Sequence, residues 1–177
     1  PDGQKLFLRM RTAPERTESV RLWTLGDADP RTQPAVKGPD LAICQQLRRA
    51  ANLHGADEAV LLDGDGFISD GALSSIVWWE DETLVGPDET TPWLPSITRE
   101  LVFELASQAG YQTGQRRAKP VELAGCEVWS LSALQGIRAV ETWDGIDVAP
   151  AGLASPFSKR LAMLARPLPL ADEVLAM

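Results

Sequence analysis

The periodicity of apolar residues restricts the fold of this chain more than any other feature of its sequence. Short runs with the period of a β-strand alternate with longer runs that have the period of an α-helix. Apolar residues recur at helical spacing from Leu41 to Ala51, between Pro39-Asp40 and Gly55, and again from Ile97 to Ala109, after the N-capping residue Ser96. A third helix is predicted over residues 156–165. The other apolar runs are short, which predicts strands at 5–11, 19–25, 58–62, 67–69, 76–79, 84–86, 127–131 and 137–142. This order predicts a mixed α/β (α+β) domain rather than a bundle or a repeat.

Composition and charge narrow the choice of partners and compartment. The formal net charge is −8 and the sequence pI is about 4.7. This acidity argues against nucleic acid or an anionic membrane as the main partner, because both bind basic surfaces. No apolar run approaches the ~20 residues that span a bilayer, and no signal-peptide pattern opens the chain, so we expect a cytoplasmic protein.

The single histidine and the two cysteines give no sign of a metal site. His54 stands alone, and Cys44 and Cys126 lie in apolar segments without the spacing of metal ligands. We therefore predict no bound metal. We expect both cysteines to be buried free thiols, with a disulfide between them as the alternative.

Four short motifs are open to a functional interpretation, and each also has an ordinary structural one. Lys37 is one of only four lysines, and taken alone it is typical of a solvated surface charge. Asp70 is typical of a turn at the end of a strand. The segment Leu94–Arg99 places hydroxyls and free amides at a helix N-terminus, which suits a plain N-cap or an anion. The loop 132–136 suits a tight connection or contact with a phosphate or carboxylate.

In their order and spacing, these motifs resemble those of the class IV aminotransferase family. Members carry a lysine that opens a helix, then a Glu-Gly pair, a Leu-Pro-Gly-Ile-Thr-Arg motif at the head of a second helix, and a strand that runs into a loop such as Asn-Ala-Leu. This sequence has Lys37, then Asp70-Gly71 33 residues later, then Leu94–Arg99, and Ser132-Ala133-Leu134 after the strand at 127–131. The resemblance covers about residues 30–145.

The resemblance implies the large C-terminal domain of the D-amino-acid-aminotransferase-like fold, a β-rich pseudo-barrel with flanking helices. Residues 39–177 would form this cofactor-binding domain, residues 31–38 an interdomain linker, and residues 1–30 the last strands of a small N-terminal domain. Most of that small domain would be missing from the chain. The resemblance also implies a homodimer that acts on a small-molecule substrate. It implies neither nucleic acid nor a membrane as a partner.

The resemblance further implies the cofactor pyridoxal 5′-phosphate (PLP) and a role for each motif. Lys37 would form the Schiff base with PLP and then act as general base and acid. Asp70 would face the pyridine nitrogen, and the helix N-terminus would bind the phosphate. The implied cofactor-binding residues are Asp70, Ile97, Thr98, Ser132, Ala133 and Leu134, and the implied substrate-binding residues are Ala72 and Leu73.

Three residues depart from the family pattern. Asp70 stands where members have a glutamate that is one methylene longer, Ser96 replaces the glycine of the phosphate motif, and Ser132 replaces an asparagine. Positions 38–44 also lack the tyrosine that some members place there to contact the cofactor ring. These changes bear on how well the implied pocket would hold PLP.

The implied activity is the transfer of an amino group from an amino acid to a 2-oxo acid, as in branched-chain and D-amino-acid aminotransferases. An alternative on the same fold is 4-amino-4-deoxychorismate lyase, which releases pyruvate, because the Ala133-Leu134 pair suits both patterns. A second alternative is a non-catalytic fragment or remnant, which the three departures and the missing domain favour.

Overall fold

The computed structural model describes residues 11–166, so the predicted strand at 5–11 lies almost wholly outside the described residues. The described chain folds into one nine-stranded sheet with three α-helices and a short 3₁₀ helix at Pro120–Leu123. The α-helices are α1 (Leu41–Leu53), α2 (Ile97–Gln108) and α3 (Ala154–Met163). The strands are β1 (Ser19–Thr24), β2 (Glu58–Leu62), β3 (Ile68–Gly71), β4 (Ser75–Glu80), β5 (Thr83–Gly86), β6 (Gln112–Gln115), β7 (Val128–Ser132), β8 (Gly136–Trp143) and β9 (Ile146–Asp147). The predicted mixed α/β class, rich in strands, is confirmed.

The sheet has the order β3-β2-β1-β8-β7-β4-β5-β6, with β9 paired to β8. Most neighbours are antiparallel, but β1 runs parallel to both β2 and β8, and β5 runs parallel to β6. Parallel neighbours need a crossover connection, and α1 and α2 provide those between β1 and β2 and between β5 and β6. The segment Ser19–Thr24 is therefore an interior strand of this sheet. An interdomain linker at residues 31–38, between a small N-terminal domain and the cofactor-binding domain, stays a prediction.

Tight turns join the antiparallel strands where the sequence carries turn residues. The predicted hairpin through Asp63–Gly66 joins β2 to β3, and Asp63 fixes it by accepting the amides of Asp65 and Phe67 at 2.9 Å. The predicted hairpin at Asp81-Glu82 joins β4 to β5, with Asp81 at φ 51°. Sequence reasoning missed β6 and β9, since a four-residue polar edge strand and a two-residue strand carry no apolar pattern.

Three groups of buried side chains hold the layers together. Alternate strand residues pack on one face of the sheet around Trp78, while Trp79 and Trp129 on the other face meet Phe157 of α3 at ring-centroid distances of 5.6 and 5.3 Å. The third group lies under α1 and consists of small residues: Cys44, Ala51, Ala56, Ala59 and Ala72. Because these side chains are short, α1 can pack close to the β2–β3 hairpin.

The helix ends and the free state of the two cysteines agree with the prediction, whereas the predicted burial holds for Cys44 and only in part for Cys126. Cys44 is buried, Cys126 is partly buried, and both are free thiols. Gly55 and Gly110 follow α1 and α2 with φ of 76° and 90°, a left-handed conformation that favours glycine at a helix end. Within residues 11–166, the longest helix has 13 residues, and none could cross a bilayer.

Candidate functional site

A cleft of about 230 Å³ lies where four connecting segments meet. The loop before α1, the β3–β4 turn, the segment that leads into α2, and the β7–β8 turn all contribute to its wall. Eight of the nine residues singled out from the sequence line it: Lys37, Asp70, Ala72, Leu73, Ile97, Thr98, Ser132 and Ala133. Leu134 does not line the cleft and is about half exposed. The four motifs, scattered over almost 100 residues, thus converge on one cavity.

Lys37 stands at an exposed position in the turn that precedes α1. Gly38 follows it with φ 130°, a conformation that L side chains rarely adopt. The buried carboxylate of Asp40 fastens this loop by accepting the backbone N–H of Thr32 at 3.1 Å and that of Gln33 at 2.8 Å. These backbone donors hold the pKa of Asp40 below its usual range. The helix α1 begins at Leu41, directly after the predicted start at Pro39-Asp40. The hydrogen bonds from Thr32 and Gln33 to Asp40 close a loop that fixes the backbone on both sides of Lys37.

Asp70 lies at the buried inner wall of the cleft, at the end of β3, and is 3% exposed. Its Oδ2 atom accepts the backbone N–H of Leu94 at 3.0 Å and the Nη1–H of Arg31 at 3.2 Å. Its Oδ1 atom accepts the N–H of Gly71 at 3.2 Å. Burial raises the pKa of Asp70 to about 7, although the Leu94 amide and the Arg31 guanidinium act in the opposite direction. The carboxyl is thus poised between its two protonation states near neutral pH.

The N-terminus of α2 forms another wall. The Ser96 hydroxyl caps the helix by accepting the N–H of Arg99 at 3.2 Å, so the serine that replaces the family's glycine is the N-cap residue. Among the described residues, the N–H groups of Ile97 and Thr98 have no acceptor. Free amides at the positive end of a helix dipole bind anions. The N-cap interpretation of this motif is therefore confirmed, and the two open amides leave anion binding there as a prediction.

Arg99, in the first turn of α2, fixes the segment that leads into this helix. It is buried, donates to the carbonyl oxygen of Pro87 at 2.7 Å, and stacks on Trp93 with its Cζ atom 4.2 Å from the ring centroid. A Cβ atom at Gly86 would come within 2.8 Å of the guanidinium, so the glycine makes room for it. Burial lowers the pKa of Arg99. This arginine anchors the segment 87–96, in which the backbone N–H of Leu94 donates a hydrogen bond to Asp70.

The β7–β8 turn contributes a further part of the cleft wall. The Ser132 hydroxyl accepts the N–H of Gln135 at 3.2 Å, and Gly136 ends the turn at φ 74°. Ser132 is half-buried and Ala133 exposed. The serine in place of the family's asparagine thus uses its hydroxyl to fix the turn, and the Ala133 side chain is too small to block the cleft.

Sequence reasoning missed three residues of this region. Arg31 lines the cleft and contacts Asp70, but its partner is 39 residues away and the surrounding loop shows no periodicity. Cys44 lines the cleft from α1, and burial raises the pKa of its thiol. Glu58 is 1% exposed and supports the β3–β4 turn by accepting the N–H of Leu73 at 3.3 Å and the hydroxyl of Ser74 at 3.1 Å. A glutamate as the first residue of an apolar strand was the one available signal, since a charged residue is rarely buried without partners.

The residues present fit a phosphorylated, ring-containing aldehyde such as PLP. The open amides of Ile97 and Thr98 offer an anion position for the phosphate, Asp70 offers a buried acceptor for a ring N–H, and Lys37 offers the amine. Leu41 and Cys44 line the cleft where some family members have a tyrosine. These groups suit a phosphate, a ring N–H and an aldehyde carbon, and positions 38–44 supply no tyrosine hydroxyl to the ring.

Comparisons with known proteins agree with the motifs. Residues 2–143 match the family model described as amino-transferase class IV. A branched-chain-amino-acid aminotransferase of Escherichia coli is 32% identical over 112 residues, which are 63% of this chain and 36% of that enzyme. A bifunctional aminodeoxychorismate lyase / D-amino acid transaminase of Mycobacterium tuberculosis is 25% identical over 142 residues, 76% of this chain and 49% of that protein.

Solved structures share the fold. The branched-chain amino acid aminotransferase from Escherichia coli superposes with a TM-score of 0.76 at 25% identity, covering 84% of this chain and 53% of that one. A hypothetical aminotransferase from Mycobacterium tuberculosis, solved in its alpha-ketoglutarate and PMP bound form, gives a TM-score of 0.74 at 23% identity over 82% of this chain and 54% of that one. The chain therefore spans about half the length of these solved proteins.

Proposed function

From the premise that the chain belongs to the class IV aminotransferase family, we propose that it binds PLP covalently through Lys37 and transfers an amino group from an amino acid to a 2-oxo acid. The observation that carries this proposal is the convergence of Lys37, Asp70 and the α2 N-terminus on one cleft of about 230 Å³. Each of these groups has an ordinary structural role by itself. Their meeting in one cavity, lined also by Ser132 and Ala133, favours a common ligand.

Each group has a task that follows from its surroundings. Bound PLP supplies an electron sink that stabilises negative charge at the substrate Cα. The amides of Ile97 and Thr98 would hold the phosphate, and Asp70 would accept the ring N–H from the buried wall. The 132–134 turn contributes its backbone and the Ser132 side chain to the phosphate or the substrate carboxylate. Ala72 and Leu73, in the β3–β4 turn, border the space that remains for the substrate side chain.

Lys37 is assigned the proton transfer as well as the covalent bond. Among the described residues it is the one lysine in the cleft lining, and the other possible bases there, Asp40 and Asp70, are bound by backbone N–H groups or by Arg31. Its Nζ atom would take the proton from the substrate Cα as general base and give it up again as general acid. The exposed position of Lys37 in a fastened loop leaves its side chain room to serve both purposes.

Borohydride labelling tests this proposal on the 177-residue chain. We expect incubation with PLP and reduction to leave one cofactor on Lys37, located by peptide mass spectrometry, and Lys37→Ala to abolish the label. Lys119→Ala and Lys159→Ala are matched controls, because both lysines are exposed and lie outside the cleft lining; both should keep the label. Equal labelling of all three sites, or none at saturating PLP, would contradict the proposal and favour a non-catalytic remnant.

The lyase activity is the second candidate, since the relative from Mycobacterium tuberculosis is named for both reactions. The same cleft and the same lysine would serve it. PLP-loaded chain should be assayed in parallel for amino transfer from apolar amino acids to a 2-oxo acid and for pyruvate release from aminodeoxychorismate. Pyruvate release without amino transfer would replace the first candidate by the second.

A further inference from the structure

Arg31 is a buried arginine in the loop between β1 and α1, and it faces the cleft beside Asp70. Its side chain is 4% exposed. Its Nε and Nη2 atoms bind Asp29 at 2.8–3.1 Å, Nη2 also donates to the carbonyl oxygen of Pro92 at 2.7 Å, and Nη1 donates to Asp70 at 3.2 Å. One guanidinium thus joins its own loop, the end of β3 and the segment that precedes α2.

The two oxygens of Asp70 are used unequally. Oδ2 takes both strong donors from outside its own turn, Arg31 and the Leu94 amide. Among the described residues, Oδ1 accepts only the N–H of the adjacent Gly71, at 3.2 Å. A carboxylate oxygen has two lone pairs, so Oδ1 retains capacity for a donor from the cleft. The contacts fix the carboxyl group at one oxygen and leave the other available.

We infer that Arg31 is a positioning residue: it favours the ionised form of Asp70 against the effect of burial and fixes its orientation, so that this shortened carboxylate can accept a ring N–H in the cleft. The inference rests on the proposed function for the identity of that donor. The side chain of an aspartate is one methylene shorter than that of a glutamate. Fewer orientations of its carboxylate can therefore reach a ring N–H in the cleft. A planar guanidinium with several fixed donors restrains a carboxylate better than a single N–H does.

Charge supports the same role. Burial disfavours the ionised form of Asp70, and Arg31 is the cation that opposes this effect most strongly. Asp29, bound in a fork to Arg31, keeps the arginine in place from the other side. The other titratable or charged groups around Asp70 are Arg99 of α2, Cys44 of α1, and Lys37 and Asp40 of the cleft lining. Among the described charged or titratable side chains around Asp70, Arg31 is the one that donates a hydrogen bond to its carboxylate.

The experiment measures Asp70 directly and the cofactor separately. Carbon-13 NMR of the aspartate-labelled 177-residue chain, with Asp70→Asn to assign the signal, follows the titration of Asp70 without PLP. We expect Arg31→Met to raise the titration midpoint of Asp70 and Arg31→Lys to restore most of it. Arg117→Met is the matched control, because Arg117 pairs with Asp63 and Asp65 outside the cleft lining; it should leave the midpoint unchanged.

PLP affinity, measured by quenching of tryptophan fluorescence, gives the second readout. For Arg31→Met we expect binding about tenfold weaker at pH 7, with the loss shrinking towards pH 9 as Asp70 ionises without its partner. An unchanged Asp70 midpoint, or an affinity loss equal at every pH, would overturn the positioning role. If the unaltered chain fails to bind PLP, this result contradicts the proposed function only. The titration still decides whether Arg31 lowers the pKa of Asp70.

Discussion

Asp70 and Glu58 are two buried carboxyl groups of the same β2–β3 hairpin, and they have different surroundings. Asp70 is 3% exposed and Glu58 1% exposed, and burial raises the pKa of both. Glu58 accepts hydrogen bonds from the amides of Ala59 and Leu73 and from the hydroxyl of Ser74. Asp70 instead pairs with the Arg31 guanidinium and lines the cleft. Burial and a raised pKa are therefore shared by both carboxyls, and the cationic partner and the access to a cavity are what distinguish a candidate site.

The largest expected effect is on the pH dependence of stability. The pKa of Asp70 is about 7 in the folded chain and 3.8 in its ordinary state. As pH rises from about 4 to 7, the unfolded chain loses this proton before the folded chain does, so the stability that Asp70 contributes falls, by up to about 4 kcal/mol. Asp70→Asn should therefore gain stability relative to the unaltered chain over this range, in urea unfolding at each pH.

Asp57→Asn is the control with the opposite sign. Asp57 pairs with Arg21 at 2.9 Å, and hydrogen bonding from Arg21 lowers its pKa in the folded chain. The stability from this pair is present above the ordinary pKa of an aspartate and is lost as pH falls. The two differences from the unaltered chain should thus run in opposite directions. A difference for Asp70→Asn that does not change with pH would show that Asp70 ionises in the folded chain as it does in the unfolded one.

The second effect separates the two carboxyls by their structural weight. Glu58→Ala leaves the Leu73 amide and the Ser74 hydroxyl without their acceptor inside the protein, and we expect it to cost about 3 kcal/mol of unfolding free energy. Asp70→Ala should cost less than half as much, because Arg31 keeps Asp29 and the Pro92 carbonyl as partners. The Leu94 and Gly71 amides lose their acceptor, but the substitution also removes a carboxylate whose burial is unfavourable at this pH. Denaturant titrations at pH 8 measure both. Equal costs would mean that Asp70 is as much a structural residue as Glu58.

The sequence predicts the local elements of this region well, and its long-range pairings poorly. Turn residues at Asp63–Gly66 and the apolar run of β2 are enough to predict the hairpin, and Ser96 is enough to predict the start of α2. The ion pair of Arg31 and Asp70 depends on a fold that brings residues 39 apart into contact, and no local pattern signals it. Glu58 gives a weak signal, because it is an acid that begins an apolar strand, but the sequence does not indicate its partners.

The cleft was predictable for a different reason. No one of its motifs differs from a common cap, turn or surface lysine, and only their order and spacing, read as a family resemblance, indicated that Lys37, Asp70, Thr98 and Ala133 meet. The structure brings all four into one cavity but leaves Leu134 outside its lining. A β-turn exposes successive side chains in different directions, so a motif of three adjacent residues need not contribute all of them to one wall.

The smallest effect tests whether Glu58 and Ser74 act as one unit. Ser74→Ala removes one of the donors to Glu58, a hydroxyl at 3.1 Å, while the amides of Ala59 and Leu73 remain. A single buried hydrogen bond contributes about 1 kcal/mol net, so the variant should lose about that much in denaturant unfolding. In the double variant Glu58→Ala/Ser74→Ala the two losses should not add, because each substitution removes the same bond, and the double-mutant cycle should return a coupling of about 1 kcal/mol. Full additivity would mean that the hydroxyl is solvated when the glutamate is gone, and that Glu58 supports the β3–β4 turn through the Leu73 amide alone.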